Sequence, residues 1–418
     1  MDRRYFNALM LGAASSASLS AYAGNKTRTR LHLYGAAGIR LTRYDVDAET
    51  ADLAERETID LPSPIQYAWL HPSNRALYVA TSDAANGSRT INGSVHCVCA
   101  FAIAADGRLS PIGENQALPQ RPIHISVDAS GRFLLAAFNT IPDVAVHPIL
   151  PGLGVGPRIE QRESLDLGIF PHQVRMLPGG RSAVLVTRGI DARGDTPEQP
   201  GALKLYRFDE GRLAPLASVA VGGRGGLGYG PRHLDFHPKR HWAYVAIERQ
   251  NELHMHRIVD DGFAPQPDFI RPTAAVVPGT RQVAGAIHVH PHGIAVYVSN
   301  RASETVDYEG RQVAKGGDNS IAVFRIDPTT GEPLLAQRID PRGYHVRSFT
   351  IAPDGKLLVA ADMLDMLVRE GSGIRRISAG LSLFRIDGRG LLEFVRKVDV
   401  ALPDHGQEVW VKLVALPA

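Results

Sequence analysis

The chain has 418 residues, 44% of them apolar, and a formal net charge of only +3. That balance permits a large buried core and, with no Lys/Arg block anywhere, argues against a nucleic-acid footprint. No apolar run reaches the ~18 residues of a spanning helix, whereas 41 Gly and 28 Pro point to many turns between many short strands.

The first 24 residues, MDRRYFNALMLGAASSASLSAYAG, carry Arg3-Arg4, then Tyr5 and Phe6, a weakly apolar stretch from Ala8 to Leu19, and Ala21-Tyr22-Ala23. This order resembles a twin-arginine export signal with a small-residue cleavage pattern. Asp2 stands where a hydroxyl residue is usual. The expectation is an export signal over residues 1–23, cleaved near Ala23, and one periplasmic domain over 24–418. The apolar stretch is too short to serve as a membrane anchor.

Further along, one pattern recurs roughly every 50 to 60 residues. PIQYAWLHPSNRALYVATS begins at Pro64, PIHISVDASGRFLLAAFN at Pro122, and FPHQVRMLPGGRSAVLVTRG at Phe170. PRHLDFHPKRHWAYVAIE follows at Pro231, AGAIHVHPHGIAVYVSNR at Ala284, and YHVRSFTIAPDGKLLVAAD at Tyr344. Each is a short strand, a tight turn of Pro, Gly, Asp, Asn or Ser, and a second apolar strand. A second strand pair follows, as in ALKLYRFDEGRLAPLASV and SIAVFRIDPTTGEPLLAQRI. The fold predicted is all-β: a seven-bladed β-propeller with four antiparallel strands per blade. LHLYGAAGIRLTRYDV near the start and EVWVKLVAL at the end would share the seventh blade and close the ring. The segments Asp191 to Pro200 and Glu304 to Asp318 read as surface loops. Cys97 and Cys99 lie two apart on one strand face, a poor geometry for a disulfide. They read as small buried strand residues.

Opposed residues of an antiparallel hairpin have numbers with a constant sum. In HLDFHPKRHWAYVAIE the turn centres near Pro238 to Arg240, which puts Arg232 beside Glu248 at the open end. By the same arithmetic His172 begins a hairpin ending near Arg188, and the next closes at Asn300 and Arg301. The last carries Arg347 at its start and Asp362 at its close. With first strands lining a channel, these side chains gather on one rim as a cationic cup suited to an anionic or oxyanion-forming ligand. His172, Arg232, Glu248 and Arg301 are the catalytic candidates; Arg347, His233 and Asp362 are substrate-binding candidates. The competing account makes Arg232–Glu248 an ion pair that pins a blade. His71 and His237, each before a proline in a turn, read as turn-packing residues. His288, His290 and His292 alternate suggestively, but no carboxylate sits at ligand spacing, so no metal site is predicted.

The elements PHQV, GPRHLDFHP with its strand ending in Glu248, AIHVHPHGIAVYVSNR, DNSIAVFRID and SFTIAPDGKLLVAAD resemble the propeller lactonase family. That family includes bacterial 6-phosphogluconolactonases and fungal carboxymuconate lactonising enzymes, and the resemblance spans roughly residues 31 to 400. It implies a seven-bladed propeller with no metal or cofactor and active-site residues at His172, Arg232, Glu248 and Arg301. Phe170-Pro171-His172 departs from the family's PHxH, Arg249-Gln250 after Glu248 from its Leu and small residue, and VTRG from its PDLG. These departures bear on substrate identity.

The function expected is hydrolysis of a sugar lactone by direct water attack, since no G-x-S-x-G nucleophile motif occurs. His172 is preferred to Glu248 as general base, because Arg232 would keep the carboxylate ionised but weakly basic. Arg232 and Arg301 would stabilise the oxyanion or hold a phosphate or carboxylate. The alternatives are a carboxymuconate-type cycloisomerase and a non-catalytic binding propeller. A monomer acting on a small-molecule lactone is expected, with Glu248→Gln reducing rate but leaving the melting temperature within a few degrees. Export is tested directly: with Arg3 and Arg4 both changed to Lys, cell fractionation should find the protein retained in the cytoplasm. Normal export of that variant sinks the twin-arginine reading.

Overall fold

The computed structural model describes residues 29–84, 90–402 and 408–417. The export-signal reading therefore lies outside the described residues. Those described form seven antiparallel sheets of three to five strands arranged as a ring, plus two two-stranded side hairpins. Numbering blades from the N-terminus, blade 1 combines Thr29–Ala37, Arg40–Val46 and Leu53–Asp60 with Glu408–Pro417. The C-terminal strand is its innermost member and pairs with Thr29–Ala37 along nearly its whole length. The innermost strands of blades 2 to 7 are Ile65–Leu70, Pro122–Val127, Pro171–Met176, Pro231–Phe236, Val283–Val289 and Tyr344–Ile351. Blade 3 departs from the four-strand expectation. It has three strands, because the chain after Asp143–Pro148 runs on through irregular backbone to Pro171.

Middle strands such as Phe133–Phe138 and Trp242–Ile247 are buried at every position. Alternating side chains on such a strand face two neighbouring blades, so both faces must be apolar. The core is accordingly divided. Each cluster of buried apolar residues joins two adjacent blades, from blades 1 and 2 (Tyr34, Leu77, Trp410) round to blades 7 and 1 (Leu33, Val359, Leu413).

Polar fasteners repeat between blades. The hydroxyls of Tyr34, Tyr78, Tyr244 and Tyr297 donate to the carbonyls of Gly107, Leu153, Gly331 and Gly390, each in the next blade, at 2.6 to 3.1 Å. His71, His237 and His290 do the same through Nε2 to Gly131, Gly293 and Gly355 at 2.9 to 3.1 Å. A carbonyl can only accept, so each ring donates from Nε2. Those three glycines have φ of 74° to 75°, and a Cβ would stand 2.3 to 2.4 Å from the histidine ring. The turn demands Gly for its backbone and the fastener demands it for space. Cys97 and Cys99 are buried free thiols with their Sγ atoms 3.9 Å apart.

In every blade the pairing of the innermost strand skips a residue near its cup end. The residues passed over are Gln66, Ile123, His172, Arg232 and Arg347, Val409 on the closing strand, and one position within Gly285-Ala286. Pro122, Pro171 and Pro231 open three of these strands, where a missing N–H breaks no ladder bond. Deleting residues 408–417 should leave blade 1 without its inner strand and expose an edge. Calorimetry should then show loss of the single cooperative transition, whereas an unshifted melting temperature would make the closing strand dispensable.

Candidate active site

Each skipped residue is a β-bulge, which takes one side chain out of the alternation and turns it aside. The bulge residues Gln66, Ile123, His172, Arg232, Ala286 and Arg347 line one small void at the cup end of the channel, together with Gln173 and His233. The void measures about 30 Å3, room for a water molecule or two.

Beside it, Glu248 lies one residue beyond the last strand pair of its hairpin, Pro231↔Ile247. Arg188 of blade 4 donates through Nε to its Oε2, and Arg301 of blade 6 donates through Nη2 to its Oε1 at 3.0 Å. Arg232 stands farther off, its Nε 3.9 Å from Oε1. Its Nη1 instead lies 3.2 Å from His233 Nδ1. A guanidinium only donates, so Nδ1 of His233 accepts and the ring proton sits on Nε2. Arg347 makes no hydrogen bond or ion pair among the described residues.

Burial alone would raise the Glu248 carboxyl, but Arg188, Arg301 and Arg232 together hold it at about 2. Burial depresses the arginines in turn, taking Arg347 to about 10 with help from Arg301 and Arg121. His172 is pushed well below its ordinary value by burial and then by Arg232, Arg347 and Arg188. His233 moves the same way, through burial and Arg232. Both rings are therefore neutral at pH 7. They lie 5.0 Å apart edge to face, and His124 stands 5.8 Å behind His233 against Tyr67. Nδ1 of His172 is buried without a hydrogen-bond partner among the described residues.

The structure thus brings together His172, Arg232, His233, Glu248, Arg301 and Arg347. It does not bring Asp362. Asp362 is paired within its strand opposite Val346, takes a 2.7 Å hydrogen bond from Ser382, and packs against Gly343. Burial raises its carboxyl to about 8, so at neutral pH it brings no full charge toward the cup. The reading of Arg232 and Glu248 as directly opposed residues also changes, because Arg232 is the bulge and Glu248 is held by two other arginines. Sequence reasoning gave no role to Arg188, although the hairpin arithmetic lands on it as it does on Glu248. It also passed over Gln66, which accepts from Arg121 at 2.6 Å, and His345, whose Nε2 is 3.5 Å from Arg301. His288 is 3.6 Å from Asp235 and His290 bonds Gly355, so the IHVHPH histidines have separate structural partners.

A family model described as "Lactonase, 7-bladed beta-propeller" matches residues 20–368. The chain is 28% identical over 325 residues to the 6-phosphogluconolactonase of Yersinia pestis (strain Pestoides F), covering 69% of this chain and 87% of that one. It is 29% identical over 326 residues to the Yersinia enterocolitica 6-phosphogluconolactonase, covering 69% and 88%. Among solved structures, the periplasmic gluconolactonase of Pseudomonas aeruginosa superposes with a TM-score of 0.68 at 19% identity, over 93% of this chain and all of that one (100%).

The three-arginine grip on Glu248 revises the expectation for Glu248→Gln. Removing one partner of a buried ionic cluster strands the others, at roughly 3–5 kcal/mol. The variant should melt well below wild type at pH 7. A carboxyl whose folded pKa is depressed adds stability above its unfolded pKa of about 4.3, and this is lost as pH falls toward about 2. The gap between variant and wild type should therefore close across that window in pH-resolved melting curves.

Proposed function

The chain belongs to the seven-bladed β-propeller lactonase family, and from that premise we propose that it hydrolyses a sugar lactone in the cup between His172, Arg232, His233 and Arg347. The observation that carries this is the convergence of three bulge residues, His172, Arg232 and Arg347, on one void beside a fixed carboxylate.

Water adds to the lactone carbonyl, its proton passing to the free-base imidazole of His172. The carbonyl oxygen becomes an oxyanion facing Arg232 and Arg347. Collapse breaks the ring C–O bond, the departing alkoxide takes the proton back, and a hydroxycarboxylic acid results. Arg347, with no partner among the described residues, and Arg232, with only His233 among them at hydrogen-bond distance, are the preorganised donors this step requires. Glu248 is a positioning residue: Arg188 and Arg301 hold its two oxygens, and it stands outside the lining of the void that His172 faces. Room for a sugar ring would come from the inserts on this face, which are tied across by Arg249 to Glu198 at 2.7 Å and to Asp191 at 2.9 Å. An exported chain would meet an unphosphorylated aldonolactone rather than a cytoplasmic sugar phosphate, and the periplasmic gluconolactonase among its structural relatives supports that reading.

The test is pH-stat hydrolysis of gluconolactone, its 6-phosphate and a muconolactone. His172→Gln and Arg232→Met should each lower kcat on the accepted lactone by about a hundredfold or more. Because the His172 pKa is depressed, the base stays unprotonated on acidification. The corrected rate should hold level from pH 8 to pH 6, where a histidine of ordinary pKa would lose much of its activity. Wild-type turnover in both variants would falsify the assignment.

A further inference from the structure

We propose that the turn-side half of the channel is a second ligand site, and that it takes a polyhydroxylated monocarboxylate of the aldonate class. A cavity of about 400 Å3 opens there between the innermost strands, reaching the turns at Pro72, Pro291 and Pro353. That volume lies within the range of small-molecule sites.

Its charges are unevenly matched. Asp235 is fully engaged: Oδ1 accepts from Arg175 at 3.4 Å and from the Phe236 N–H at 3.0 Å, and Oδ2 from the Val289 N–H at 2.9 Å. Arg175 is fixed, its guanidinium 4.7 Å over the Trp69 ring and 5.4 Å over Phe236. Lys412 has no such partner. It is the one charged residue in VWVKLVAL, between Val411 and Leu413, which go into the core. Among the described residues its ammonium makes no hydrogen bond or ion pair, yet it lines the cavity. Burial lowers its pKa, and the field of Asp235 opposes that. Arg175 and Lys412 are two permanent cations against the one carboxylate of Asp235, and that excess of a single charge suits a monoanion better than a dianion.

A lone cation in an apolar strand costs stability unless something answers it. The walls say what the rest of the ligand is. Trp69, half-buried, lines the cavity with an aromatic ring suited to C–H surfaces, and Ser348 and Thr350 line it with hydroxyls. The product of lactone hydrolysis is such a molecule, so the choice of aldonate rests on the hydrolase reading. This cavity shares Tyr67, Trp69, Arg175, His288 and Ser348 with the void at the cup, and the two meet within the channel.

Titration calorimetry with sodium gluconate tests the site, using Arg232→Met to suppress binding in the cup. Arg232→Met should retain one gluconate site. Adding Lys412→Met should weaken it about tenfold or more. Lys412→Met alone should hydrolyse lactone at the wild-type rate and melt no lower than wild type. Glucose, lacking the carboxylate, should bind at least about tenfold more weakly than gluconate. Unchanged gluconate affinity on losing Lys412, loss of all binding in Arg232→Met, or inorganic phosphate binding as tightly as gluconate would each overturn the proposal. Intact, Lys412-dependent gluconate binding without any lactone hydrolysis would sink the hydrolase reading and leave this site standing. Hydrolysis without Lys412-dependent binding would sink the site alone.

Discussion

The cup depends on one slip of register in the innermost strand of each blade. A regular inner strand sends its side chains alternately into the two flanking blades, as Trp410 and Val414 go to one side and Val411 and Leu413 to the other. Such a strand spends most of its apolar side chains between blades. The bulge breaks the alternation once, near the same end of every blade, and frees a side chain to turn inward. What a blade contributes then depends on the residue at the slip: a guanidinium from blades 5 and 7, an imidazole from blade 4, an amide from blade 2, an aliphatic chain from blade 3, and small residues from blade 6. The ring supplies the stiffness, so a one-residue change at a bulge alters the chemistry without altering the fold.

Electrostatics decides the roles within the cup. Arg188, Arg232, Arg301 and Arg347 bring four positive charges and Glu248 one negative, a net of +3 among buried or half-buried groups. Glu248 keeps that density tolerable, and its position between blades 4, 5 and 6 joins three blades through one carboxylate. Burial, reinforced by this surplus, holds the histidines neutral, and the surplus suits the site to charge that develops only during reaction. Both oxygens of Glu248 are held by guanidinium groups and the residue does not line the void, whereas the neutral imidazole of His172 does. On the proposed mechanism the site divides into a structural half, Arg188–Glu248–Arg301, and a reactive half, His172, His233, Arg232 and Arg347.

The sequence made the repeat, the blade count and the closure by both termini legible because each rests on a period long enough to survive local irregularity. Most of the cup was legible too, since the open end of each hairpin can be found by counting. What counting could not show was the slip. A one-residue bulge leaves the apolar pattern of so short a strand nearly intact, so Arg232 looked opposed to Glu248 when the true pairs flanking it are Pro231↔Ile247 and His233↔Ala246. Asp362 failed for a related reason. Glu248 and Arg188 lie one residue past their last strand pairs, whereas Asp362 is still within its ladder and its side chain stays inside the blade. The signal that was present and unused is the proline opening three inner strands, each followed directly by the bulge residue.

Histidine shows how one residue type is sorted by its partners. In the turns, His71, His237 and His290 each lie against a glycine of the next blade and donate to its carbonyl, so their chemistry is used up in holding blades together. His288 has Asp235 close by. The rim histidines differ. His233 accepts from Arg232 at Nδ1 and lines the void, and His172 has a buried Nδ1 with no partner among the described residues. Leaving a polar atom unpaired in so dense a ring is costly, and the turn histidines of blades 2, 5 and 6 avoid that cost by the simple device of a glycine carbonyl. An unpaired ring nitrogen is not peculiar to His172, since His124 and His345 have one too; what sets His172 apart is its place, as the bulge residue of its strand lining the void beside Arg232 and Arg347.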